Sequence, residues 1–136
     1  MSNIKELFEF LAQNKFGNLA TCTENQPDNR PMECVFVSDK GLFFYTKKGE
    51  ELEEQLNKNK SICFTATDPS YNYMKVRGSV VWSHEEDDQR KILESSSFAK
   101  KVFEKDTLSS MIVFYVPHGK AMLHSHGKHE PVCFEF

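Results

Sequence analysis

Two groups of residues in this sequence could do chemistry, and the smaller one is a set of histidines near the carboxyl end. His124 and His126 lie two residues apart in a segment predicted to be a β-strand. Side chains two apart on a strand point to the same face, a common geometry for metal ligands. His118 precedes this segment and His129 follows it after a turn. The pair is therefore either a metal site or an exposed or interfacial pair of ordinary histidines.

The larger group is spread over residues 17–82 and combines arginine, lysine, glutamine and aromatic residues. Taken singly, each member has an ordinary explanation. Arg30 could form a surface ion pair, and Lys47 with Lys48 could be a solvated turn. The stretches of interest are Gly17-Asn18-Leu19-Ala20-Thr21, Arg30-Pro31-Met32, Phe43-Phe44-Tyr45-Thr46-Lys47-Lys48-Gly49, Gln55-Leu56 with Asn59, and Val76-Arg77-Gly78.

Composition excludes several functional classes. The formal net charge is −3, and the 17 basic residues are spread along the chain and include few arginines, which argues against nucleic-acid binding. The amino-terminal residues are polar and the apolar runs are short, so we expect no signal peptide and no membrane association. The four cysteines have no CxxC spacing, which predicts reduced thiols and a cytoplasmic protein. No Ser-His-Asp or Cys-His arrangement is evident.

Hydrophobic periodicity predicts the elements that must position these residues. Gly17 is expected to end the first helix, and Gly78 to mark a bend. Ser83 and Glu86 are expected to form a capping box at the start of the third helix. Short turns join the first three strands, which predicts an antiparallel meander. The predicted helices cover residues 3–15, 50–58, 85–95 and about 98–105, and the predicted strands cover 18–23, 29–38, 42–46, 61–67, 73–83, 111–116, 120–125 and 132–136.

The number and spacing of the strands indicate the fold class. Six to eight short strands, with helices at the crossovers, imply a mostly β (α+β) antiparallel barrel with flanking helices. The length of 136 residues fits one domain over residues 1–136.

The order and spacing of the stretches in residues 17–82 resemble those of a known family. Together they resemble the pyridoxamine 5′-phosphate oxidase-like FMN-binding split-barrel family, and in particular its short members of the nitroimidazole-resistance and general-stress types. The resemblance covers residues 4–136 and implies a split β-barrel that holds FMN. It also implies a homodimer with the cofactor at the interface.

The resemblance implies a role for one strand in cofactor binding. Arg30 would pair with the FMN phosphate, for which a planar guanidinium is well suited. The backbone of Pro31, Met32 and Glu33 would face the polar edge of the flavin.

The next strand and helix carry the other residues implied by the family. Tyr45 and Thr46 would touch the flavin, and Lys47 and Lys48 would supply positive charge to the phosphate. Gln55 stands at the position of a family glutamine that reaches the cofactor.

Two departures from the family pattern matter for function. After Gly49, relatives often carry residues that close on the phosphate, whereas this chain has Glu50 and Glu51, whose charges would repel it. The oxidases themselves also use basic residues near the carboxyl end to hold the substrate phosphate, and no arginine follows Arg90. Oxidation of pyridoxamine phosphate is therefore disfavoured.

The function that follows is an FMN-dependent oxidoreductase that acts on a small oxidised substrate, such as an aromatic or nitro compound. Three alternatives stay open. Because some split-barrel relatives bind haem, His124 and His126 could instead serve a haem- or metal-binding module. The protein could also bind flavin without turnover, or hold a deazaflavin in place of FMN.

Overall fold

The computed structural model describes residues 2–104 and 108–136, with side chains from residue 5 onwards. The described residues form ten strands and four helices, and a short 3-10 turn covers Leu108–Ser110. The helices are α1 (Ser2–Gln13), α2 (Glu51–Lys58), α3 (Glu86–Ser95) and α4 (Ser97–Val102). The strands are β1 (Phe16–Thr23), β2 (Gln26–Glu33), β3 (Phe36–Ser38), β4 (Gly41–Lys47), β5 (Ser61–Thr67), β6 (Tyr73–Ser79), β7 (Val81–Ser83), β8 (Met111–Val116), β9 (Gly119–His124) and β10 (Val132–Glu135).

The strands form two antiparallel sheets that are not joined into a closed barrel. The larger sheet has the order β10-β9-β6-β5-β1-β2, and the smaller one has the order β3-β4-β8-β7. Apolar residues from the facing sides of both sheets form the main core, with Phe44, Phe64 and Phe114 at its centre. Leu7 and Leu11 of α1 pack into the same core. The architecture is thus a mostly β split barrel with flanking helices, as the sequence predicts.

The smaller sheet is buried on both faces, which explains the unbroken apolar run in β4. Leu42 and Phe44 face the larger sheet, whereas Phe43 and Tyr45 face a second core under α3 and α4. In that second core Ile92 is among the residues that have no exposed surface. A strand covered on both sides needs apolar residues at every position rather than at alternate ones.

Two long predicted strands each break into two, so the structure has ten strands rather than six to eight. The chain leaves the larger sheet after β2, where the Cys34 N–H donates to the Lys15 carbonyl and the Val35 N–H donates to the Phe43 carbonyl. It changes sheets again at Val80, between β6 and β7. The two antiparallel pairings of the predicted meander are confirmed, as β1 with β2 and β3 with β4, but its middle strand divides between the two sheets. Alternation of residues cannot reveal a change of sheet when both parts stay extended.

The helices lie close to their predicted positions, but two of the predicted signals are wrong. Helix α1 ends at Gln13, and Gly17 lies inside β1, where an added Cβ would be 2.1 Å from the Thr65 carbonyl oxygen. The N-cap of α3 is Glu85, not Ser83, whose hydroxyl donates to Asp88 instead. Part of the fourth predicted helix, about 98–105, lies outside the described residues. No helix in the described part of the chain is long and apolar enough to cross a membrane.

Candidate functional site

One cavity opens between β2 of the larger sheet and β4 of the smaller sheet. Its volume is about 480 Å³, which lies in the usual range for small-molecule sites. The edge strand β2 and the end of β4 form two walls, and the start of α2 together with α4 forms the others. The lining residues are Phe16, Arg30, Pro31, Met32, Glu33, Tyr45, Thr46, Lys47, Glu50, Glu51, Leu52, Phe98 and Val102. The cavity therefore brings together seven of the nine predicted cofactor-binding residues.

Arg30 is held firmly at one end of this cavity. Its Nη1 donates to the Leu19 carbonyl at 3.2 Å and to the Thr21 hydroxyl at 2.9 Å. Its Nη2 donates to Gln55 Oε1 at 2.6 Å and to Asp28 Oδ2 at 3.2 Å. These four contacts involve both Nη atoms and fix the plane of the guanidinium. The fifth N–H donor, that of Nε, takes no part in them. An anion that binds both Nη atoms would have to displace or share some of these partners.

Gln55 acts on this arginine rather than on the cavity itself. Its side chain accepts from Arg30 and Thr21, and its Nε2 donates to Asp28 Oδ2 at 3.0 Å. The hydrogen bond from Gln55 lowers the pKa of the Asp28 carboxyl, and the Asn29 N–H and Arg30 add to this effect. Gln55 is not among the residues that line the cavity. Gln55 therefore orients the Arg30 guanidinium without lining the cavity itself.

The Tyr45 side chain lines the cavity and ends in a buried polar atom. The residue is 8% exposed, and its hydroxyl is buried without a hydrogen-bond partner among the described residues. Burial raises the pKa of this phenol to about 12, and the carboxylates of Glu33 and Glu50 contribute to the increase. The hydroxyl therefore keeps its proton at neutral pH. Because the hydroxyl has almost no accessible surface, a ligand could accept a hydrogen bond from it only after the side chains around it move.

Glu33 is a buried residue that places a carboxyl group on the cavity wall. It is 7% exposed, and its Oε1 accepts a hydrogen bond of 2.6 Å from the Ser96 hydroxyl. Ser96 is the N-cap of α4, where its oxygen accepts from the Ala99 N–H at 2.9 Å. The start of α4 thus holds the Ser96 side chain in place, and Ser96 in turn holds the Glu33 carboxyl group.

The beginning of α2 forms the acidic rim of the cavity. Glu50 is the N-cap but makes no side-chain capping bond, and Glu51 follows in the first turn. Both side chains are exposed. The Glu53 carboxylate reaches back to the Gly49 N–H at 2.9 Å, which closes the turn before the helix. The Glu50 and Glu53 amides already donate to backbone carbonyls, so the amides of Glu51 and Leu52 are the donors left near this rim.

Two predicted residues lie elsewhere, and several lining residues were not predicted. Lys48 lines a separate cavity together with Trp82, and Gln55 lies behind Arg30. Phe16 and Phe98 meet edge to face at the cavity mouth with ring centroids 6.4 Å apart, and they are 62% and 54% exposed. The sequence gives no local signal for this pair, because Phe98 comes from a helix more than eighty residues further along the chain.

The predicted histidine pair does not share a strand face. Strand β9 ends at His124, and His126 lies in the turn beyond it, where its backbone N–H donates to Asn72 Oδ1 at 2.7 Å. The His124 ring stacks on Tyr73 with centroids 4.3 Å apart. Within residues 2–104 and 108–136, no group of three or more His, Cys, Asp or Glu side chains could hold a metal ion.

Two separated antiparallel sheets with a cavity at their junction define a split-barrel protein. Comparison of the sequence with known families identifies the family to which it belongs. The profile of the pyridoxamine 5′-phosphate oxidase family matches residues 4–122, and the chain belongs to this family. None of the curated protein sequences matches the chain significantly.

Solved structures with the same fold cover nearly the whole chain. A NimC/NimA family protein from Clostridium acetobutylicum superposes with a TM-score of 0.83 at 20% identity, covering 99% of this chain and 93% of the other. General stress protein 26 from Bacillus anthracis gives 0.76 at 14% identity, with 98% and 99% covered. A heme-binding protein from Mycobacterium smegmatis gives 0.77 at 14% identity, with 100% and 58% covered. At these identities the similarity establishes the fold alone.

Proposed function

We propose that this protein binds FMN in the cavity between the two sheets and acts as an FMN-dependent oxidoreductase on a small oxidised substrate. One observation carries the proposal. The same cavity combines a fixed guanidinium at one end with aromatic walls and an unpartnered buried hydroxyl, that of Tyr45. A phosphate, a planar ring and a hydrogen-bond acceptor are the three features that such a cavity accommodates.

The residues present fit this cofactor in shape and in most of their chemistry. Arg30, Lys47 and the first amides of α2 would hold the phosphate, as helix amino-termini bind anions. Phe16, Phe98 and Met32 provide apolar surface for a flat ring. The carboxylates of the rim oppose the phosphate, so the fit is poorest where Glu50 and Glu51 stand.

When bound, FMN supplies the electron-transfer chemistry, and the protein supplies position and environment. Tyr45 would donate a hydrogen bond from its protonated hydroxyl, and the backbone of residues 31–33 would align the edge of the ring. Leu52 and Val102 are apolar lining residues and would limit the access of water. Aromatic and nitro compounds are candidate substrates, because the mouth of the cavity is aromatic.

The absorbance spectrum of the freshly purified protein tests the proposal first. We expect the two bands of oxidised flavin, and, for protein that lost its cofactor, saturable quenching of flavin fluorescence on titration with FMN. Reduction of a nitroaromatic compound by the loaded protein would then establish the activity. A Soret band would assign haem instead, and an absence of both flavin and haem binding would contradict the proposal.

The cofactor site is proposed to be completed by a second copy of the chain. Phe16 and Phe98 present much apolar surface at the cavity mouth, and exposed aromatic pairs of this kind are typical of interfaces. We expect light scattering at micromolar concentration to give twice the chain mass of 15.8 kDa. A mass of one chain would require the cofactor to be bound within a single barrel.

A further inference from the structure

The cavity wall carries more negative than positive side chains. The carboxylates are those of Glu33, Glu50 and Glu51, and the cations are Arg30 and Lys47. Arg30 also forms an ion pair with Asp28, a carboxylate outside the cavity. Because the cofactor's phosphate would use the remaining positive charge, the part of the cavity away from Arg30 is acidic.

Glu33 differs from the two glutamates of the rim in its surroundings. Glu50 and Glu51 are exposed, so water and salt screen their charges. Glu33 is covered by protein, and the Ser96 hydroxyl fixes its position. A charge in such a place interacts more strongly with a ligand, since screening by solvent is weaker there.

The aromatic residues around Glu33 favour the same kind of ligand. Phe16, Phe98 and Tyr45 all line the cavity. Aromatic faces attract organic cations, and their attraction adds to that of a nearby carboxylate. The buried Tyr45 hydroxyl has no partner among the described residues, so a ligand acceptor that displaced the atoms covering it would gain a hydrogen bond.

From this arrangement we infer that the substrate is a planar aromatic compound with a positively charged amine, and that Glu33 is the residue that selects this charge. That this ligand is a substrate rests on the proposed function, whereas the selection of its charge is a property of the cavity itself. Anionic aromatic compounds are rejected by the same carboxylate. Tyr45 supports the binding by a hydrogen bond to an acceptor on the ring or its substituent.

Three matched compounds test the inference: 4-nitrobenzylamine, 4-nitrobenzyl alcohol and 4-nitrobenzoate, which are cationic, neutral and anionic at neutral pH. Calorimetric titration of the FMN-loaded and the flavin-free protein gives their dissociation constants. We expect the amine to bind at least tenfold more tightly than the carboxylate, with the alcohol between them. Because Glu33 is covered, the ratio should persist when the salt concentration is raised.

Glu33→Gln is the decisive variant, because glutamine keeps an oxygen for the Ser96 hydroxyl but removes the charge. We expect it to reduce the preference for the amine to less than threefold, with little change in melting temperature. Glu54→Gln is the matched control, since Glu54 is exposed on α2, pairs with Lys58 and does not line the cavity. The control should keep the full preference.

The two forms of the protein separate the possible results. A preference for the amine in the loaded protein that is lost in Glu33→Gln supports the inference. If FMN binds, a preference seen only in the flavin-free protein overturns the inference, because the cofactor then covers Glu33. Equal affinities, or tighter binding of the carboxylate, in the unmodified protein overturn it whether or not the variant folds. Failure of FMN to bind would refute the proposed function, and the flavin-free titrations would still decide the selection of charge.

Discussion

Replacing Arg30 with alanine is expected to weaken FMN binding by roughly tenfold to a hundredfold. The variant loses a charge-assisted contact to the phosphate, worth about 1.5–3 kcal/mol. It also leaves the Asp28 carboxylate without its ion-pair partner near the phosphate end of the site. Titration of the flavin-free variant with FMN, followed by fluorescence, measures the loss.

The loss of stability in this variant should be smaller than the loss of affinity. Asp28 remains partly exposed to water, and Thr21 and Gln55 keep their own hydrogen bond of 2.6 Å. Arg30→Lys should fall between the two proteins, because lysine keeps the charge but not the planar fork. Arg90→Ala removes an exposed arginine of α3 that pairs with Asp87, and it serves as the control. Unchanged affinity in Arg30→Ala would remove this residue from the site.

Much of the fold could be predicted because the relevant signals are local. The strands and helices occur where periodicity places them, and the alternation in β5, with Ile62, Phe64 and Ala66 buried, is a clear example. The changes of sheet at Val35 and Val80 could not be predicted in this way. They depend on which strands are partners, and partner choice is set by packing across the whole core rather than by neighbouring residues.

The candidate site shows the same division between local and distant information. Arg30, Tyr45 and Thr46 were predicted from a family pattern carried by short stretches, and the structure places all three in one cavity. The contributions of Phe98 and Ser96 could not be seen, because α4 reaches the site only after the chain has passed through seven strands. For the histidines, a local signal predicted an arrangement that the structure does not have. Their spacing suggested a shared face, but the strand ends at the first of them.

Replacing the two rim glutamates, by Glu50→Ser together with Glu51→Lys, is expected to tighten FMN binding about tenfold at low salt. Both side chains line the cavity, and their removal takes away repulsion while the new lysine adds attraction. At an effective dielectric near 20 the change is worth about 1–2 kcal/mol. The effect should shrink as the salt concentration rises, because both positions are exposed and their charges are screened.

The same substitution is expected to lower the stability of the protein slightly. Glu51 lies in the first turn of α2, where an acidic side chain interacts favourably with the helix dipole by about 0.3–1 kcal/mol. Glu54→Lys changes the charge on the same helix outside the cavity, so it should leave FMN affinity almost unchanged. FMN titrations of the three proteins at low and high salt distinguish the two roles of the glutamates. Equal affinities at low salt would show that Glu50 and Glu51 stabilise the beginning of the helix and that its free amides, rather than the side chains, face the phosphate.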